Sequence, residues 1–133
     1  MIGRLCGAWL LLGVATVAAP AGAVGLGPLA VNGTIDGPRE GFMLDLYNPY
    51  DMSMTFVAYA VGIENEQPQV RVSVLPADAE LGPRHARKVL VIADDLQVGE
   101  IYRFRVCAQR KAPPEGIQVN ARVCSKITAH RIS

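Results

Sequence analysis

The chemistry this chain could do is concentrated in one stretch, where two cysteines and four basic side chains bracket a proline-rich turn. Cys107 and Cys124 lie on either side of "APPEG", Ala112 to Gly116. If that pentapeptide turns a hairpin, Cys107 lies opposite Cys124. Strand alternation then places Tyr102, Phe104 and Val106 on one face, with Arg103, Arg105 and Cys107 on the other. On the second strand it groups Ile117, Val119, Ala121, Val123 and Ile127 against Arg122, Cys124 and Lys126. Both cysteines are expected on the polar, solvent-facing side, with Cβ atoms about 4.5–5.5 Å apart, close to disulfide reach. A redox-active pair would need C-x-x-C spacing, and the chain has none.

The same register sets Arg105 opposite Lys126, with Arg103 and Arg122 flanking them. Like charges directly opposed cost energy unless the long side chains splay into solvent or an anion sits between them. Both readings stay open: a solvated basic face, or an anion site. Little else could act on a substrate. His85 and His130 are the only histidines and neither sits in a motif with a nucleophile, while Asp94-Asp95 falls in a loop where solvated carboxylates are ordinary. Met52 and Met54 could offer thioethers to Cu(I), but two methionines at strand spacing usually pack. Asn32-Gly33-Thr34 fits a glycosylation sequon, which is a frequent chance match. No catalytic residue, cofactor site or metal site is expected, and the chain reads as a non-enzyme.

The elements that must carry this stretch follow from the rest of the sequence. "MIGRLCGAWLLLGVATVAAPAGA" puts Arg4 ahead of an apolar run and ends in small residues, the pattern of a cleavable export signal over residues 1–23. The run is short for a membrane span, which needs about 20 apolar residues, so no membrane association is expected after cleavage. Cleavage removes Cys6 and Trp9 and leaves two cysteines for an oxidising compartment, read here as the periplasm. It also removes Arg4, so the 13 basic side chains fall to 12, matching the 12 acidic ones. A net charge near zero argues against bulk binding to nucleic acid or anionic membranes.

Residues 24–133 suffice for one small domain with one core. Short apolar alternation recurs between Gly, Pro and Asn breaks: "LAVNGTI", "FMLDLYN", "SMTFVAYAVGI", "VRVSVL", "RKVLVIA", "IYRFRV" and "IQVNARVCSKITAHRI". The fold class is therefore all-β, an immunoglobulin-like β-sandwich of about seven strands, expected to be a monomer when free. "SMTFVAYAVGI" is apolar on both faces and should be a central strand.

The order of these features resembles the amino-terminal domain of the periplasmic pilus-assembly chaperones, the PapD-like partners of outer-membrane ushers. The resemblance rests on "GFMLDLYNPYDMSMTFVAYAVGIEN", "LGPRHARKVLVIA" and "EIYRFRVCAQRKAPPEGIQVNARVCSKITAHR". It implies a chaperone that assists pilus and fimbrial assembly by lending its last strand to a pilin-like subunit, with an usher as a possible further partner. The lending residues would be Ile117, Val119, Ala121 and Val123. Lys126 falls where the family places a Lys that anchors the subunit's terminal carboxylate. The companion Arg position holds Asn32, and the glycine usual after the Leu-x-Pro turn is Arg84. Some branches of the family join the last two strands by a disulfide, as Cys107 and Cys124 would. In the family a second β-sandwich follows the last strand, and this chain ends at Ser133. The competing reading is a stand-alone structural or adhesive periplasmic module that pairs through an exposed edge.

Overall fold

Alternation of apolar and polar side chains sets the architecture. The computed structural model describes residues 24–111 and 121–133, and in them every regular element is a strand. Nine strands follow in order: β1 (Gly25–Gly27), β2 (Ala30–Ile35), β3 (Glu40–Tyr47), β4 (Met54–Gly62), β5 (Val72–Leu75), β6 (Asp78–Leu81), β7 (Ala86–Ala93), β8 (Ile101–Arg110) and β9 (Val123–Arg131). They form a four-stranded sheet ordered β1-β3-β7-β5 and a five-stranded sheet ordered β2-β9-β8-β4-β6. The β-sandwich expected from sequence is therefore the fold.

Two strands exceed the expected seven. The opening segment is split at Pro28, which has no N–H to give to a ladder. β1 pairs antiparallel with β3 in one sheet, while β2 crosses over to pair in parallel with β9 in the other. The second addition is β6, which lies in the Pro76–Ala86 crossover and pairs with the start of β4. β4 is an interior strand of its sheet, as its two apolar faces require.

The core is what the two inner faces supply. Phe42, Leu44 and Leu46 from β3, Phe56 and Ala58 from β4, and Val89, Val91 and Ala93 from β7 meet Phe104, Val106, Ile127 and Ala129 from β8 and β9. Met54 packs against this cluster, so its thioether serves the core. Among the described residues no helix is long and apolar enough to cross a membrane.

Asn48, at the end of β3, is a fully buried polar side chain. Its Nδ2 donates to the carbonyls of Met52, Leu81 and Gly82 at 2.9, 3.0 and 3.0 Å, and its Oδ1 accepts from the Tyr50 N–H at 2.9 Å. One side chain thus ties the Asn48-Pro49 turn to the β6–β7 turn. Replacing it with Ala strands several buried backbone groups, so Asn48→Ala should destabilise the domain by about 2–3 kcal/mol. Urea unfolding of parent and variant checks this. In the neighbouring turn Arg84 has φ 60°. A non-glycine residue in that region costs on the order of 1–2 kcal/mol. The Arg84–Asp51 ion pair at 2.9 Å is exposed and offsets little of this.

Candidate functional site

The last strand is paired unequally along its length. From Lys126 to Arg131, β9 has neighbours on both sides: β8 antiparallel, and β2 in parallel from the Ala30↔Lys126 pair onward. From Val123 to Ser125 only β8 is present, at Ala108, Cys107 and Val106. Among the described residues no strand therefore pairs with the edge opposite β8 before Lys126. Ser125 marks the border. It is buried, and its Oγ donates to the Pro28 carbonyl at 2.6 Å, while the Lys126 N–H donates to the Leu29 carbonyl at 2.8 Å.

The predicted donor residues divide along this segment. Ala121 is exposed, and Val123 is half-buried against the domain's own core opposite Ala108. Ile117 and Val119 lie outside the described residues, as do the expected turn at "APPEG" and the expected export signal of residues 1–23.

The disulfide joins Cys107 and Cys124 as the hairpin register requires, with directly paired residues and Cα atoms 4.0 Å apart. Their expected exposure is corrected by the structure. Cys107 is fully buried although it lies on the face opposite the core, because Tyr59 of β4 flanks it and the β4–β5 connection folds over this face. That connection is held by a Val61↔Pro68 bridge and by Arg105, whose Nε and Nη2 donate to the carbonyls of Gly62 and Asn65 at 2.9 Å.

The crowded basic face is also corrected. Arg105 does lie opposite Lys126. But Glu66, carried by the β4–β5 connection, accepts from Arg105 at 2.9 Å and from both Nη atoms of Arg122 at 2.7 and 2.6 Å. Arg122 and then Arg105 hold the Glu66 carboxyl down at a pKa of about 2. The single Glu66 carboxylate thus offsets one of the two guanidinium charges and bridges both groups, and Arg103 and Lys126 remain exposed. Ala30, not Asn32, is the β2 residue beside Lys126; Asn32 stands two pairs further on beside Thr128, which faces Arg103. The structure therefore groups Lys126, Thr128, Asn32 and Arg103 on one outward face. Glu66 lies 56 residues from Arg122, and only its acidity within "ENEQPQ" could have marked it.

Glu40 is a second carboxyl that sequence reading missed. It begins β3 on the inward face, is 7% exposed, and has no hydrogen-bond partner for Oε2. A Cβ at Gly33 of β2 would collide with this carboxyl and with the ring of Phe42, which is why β2 needs glycine there. Burial raises the Glu40 pKa, against a smaller lowering by the His130 peptide N–H and ring. A raised folded pKa gives stability that is full below the unfolded value of 4.5 and is lost as pH rises through the folded value. Glu40→Gln should therefore stabilise the domain by about 1 kcal/mol at pH 7 and by nothing measurable below pH ~4. Thermal melts across pH check this.

Comparison with known proteins places this geometry in a fold. No family model matches the chain, and no curated protein matches it. Solved structures do match. The Escherichia coli chaperone DraB is 15% identical with a TM-score of 0.67, over 81% of this chain and 54% of that one. The Salmonella enterica SafB chaperone, solved in complex with the SafA pilin, is 16% identical with a TM-score of 0.66, over 81% and 54%. The chain thus spans about half the length of these chaperones. A PapD-like domain of human CEP192 is 14% identical with a TM-score of 0.61, over 86% of this chain and 88% of that one. The shared feature is the PapD-like immunoglobulin fold.

Proposed function

We propose that this chain is a periplasmic chaperone-type domain that lends the free edge of β9 to an incomplete immunoglobulin-like pilin subunit. The observation that carries the reading is the interruption of pairing at Lys126. Ahead of it β9 has β8 on one side and, among the described residues, no strand on the other, so a client sheet can add there by main-chain hydrogen bonds. The inward face of this segment carries Ala121 and Val123, the positions whose side chains would enter the client's groove. Lys126, exposed at the end of the free edge, would hold the client's terminal carboxylate through a charge-assisted hydrogen bond. Arg105, directly opposite Lys126, is engaged by Glu66, so exposed Arg103, two pairs further on opposite Thr128, would complete that contact in place of the missing β2 arginine. The fold shared with DraB and with pilin-bound SafB supports the reading. An usher is a further proposed partner.

The second reading, a structural or adhesive module without chaperone activity, is favoured by the match to the CEP192 domain, of which 88% is covered. The two are separated by a pull-down from periplasm with the mature, oxidised chain. Recovery of a pilin-like subunit that is lost with Ala121→Asp supports donation. Recovery that Ala121→Asp leaves intact supports the module.

A further inference from the structure

The Glu66 carboxylate bridges two positions that straddle the disulfide. On the outward face of the β8–β9 pair, Arg105 lies two residues before Cys107, and Arg122 lies two residues before Cys124. The strands are antiparallel, so these two arginines stand on opposite sides of the cystine. A carboxylate bonded to both must sit across it. Arg122 is gripped by both Nη atoms, and its Nη1 also donates to Tyr59 Oη at 3.3 Å. Arg105 is in turn braced by two carbonyls of the segment that carries Glu66. The side chains of Arg105 and Arg122 are 18% and 33% exposed and that of Glu66 is 58% exposed, so the arginines are the partly shielded side of the contact and the carboxylate lies over them toward solvent.

From this we infer that Glu66 is a positioning residue for the free edge. By clasping Arg122 to Arg105 over the disulfide, it fixes the lead-in to β9 on the sheet and keeps reductants from Cys107 and Cys124. The inference rests on strand donation for its use: a donor edge held in register presents Ala121 and Val123 with less ordering to lose on capture. Arg122 is the last charged residue before the free edge, and no ladder pair precedes Ala108↔Val123, so this clasp is the outermost described hold on the segment.

The test is Glu66→Gln in the mature, oxidised chain. Amide exchange at Val123 and Ser125, whose N–H groups point to β8, should rise about tenfold, and reduction by dithiothreitol should accelerate by a similar factor, while β3 and β7 amides keep their parent rates. Exchanging the charges, Glu66→Arg with Arg122→Glu, should restore part of the parent behaviour if Arg105 is also made Gln to avoid repulsion. Unchanged exchange at both amides together with unchanged reduction overturns the inference. Neither readout involves a client, so failure here is distinct from failure of donation, which Ala121→Asp tests separately. With the client recovered by the parent chain, Glu66→Gln should weaken capture about tenfold at an unchanged thermal midpoint, and full-strength capture would remove the positioning role.

Discussion

A chain carrying Val119→Asp and Val123→Asp is expected to lose client capture altogether. Each aliphatic side chain placed in a client groove contributes about 1.5–3 kcal/mol, and an aspartate there would bury an unpaired carboxylate as well. The two changes together should weaken binding on the order of a thousandfold or more. Val123 also touches the domain's own core, so the double variant carries a stability cost that must be measured beside capture. Ala121 removes that ambiguity. It is exposed two residues ahead of Val123, so Ala121→Asp should leave the fold intact and still abolish capture. Lys126→Ala should weaken capture less, by about tenfold, as the loss of one charge-assisted hydrogen bond. A folded Ala121→Asp chain that captures at full strength, beside a double variant that only unfolds, would assign this face to the domain itself.

Replacing Cys107 and Cys124 together by Ser is expected to destabilise the domain by about 3–4 kcal/mol. The cross-link closes a loop with a sequence separation of 17, for which the chain-entropy model gives about 3 kcal/mol. The remainder comes from Cys107, whose replacement puts a hydroxyl in a fully buried place beneath the β4–β5 connection. Urea unfolding should show a lower midpoint with the sheet signature retained below it. A loss under about 1 kcal/mol would mean that the ladder and the Glu66 clasp already hold the hairpin.

What the sequence made legible was whatever repeats with the period of a strand. Phe42, Leu44 and Leu46, or Phe104 and Val106, announce their face by alternation, and the pairing of Cys107 with Cys124 followed from the same count. What stayed hidden depends on irregular backbone. The β4–β5 connection has no period, so nothing local foretold that it would fold back to bury Cys107 and bring Glu66 to Arg105 and Arg122. Glu40 reads as a surface acid ahead of an alternating strand, and only the passage of Gly33 above it makes it buried. The split at Pro28 belongs to the same class, since a proline signals a break without saying which sheet the chain will join next.

The claim that β9 lends its free edge is tested most directly by hydrogen exchange in the captured complex. The Lys126 N–H points away from β8 to the Leu29 carbonyl, and the amides of Cys124 and Arg122, in step with it, point toward the side where no strand lies among the described residues. Strand addition must give both of them partners. Their exchange is predicted to slow by at least about tenfold when the client binds, with the edges at β5 and β6 unchanged. Unchanged exchange at Arg122 and Cys124, with new protection at another edge, would contradict donation by this segment.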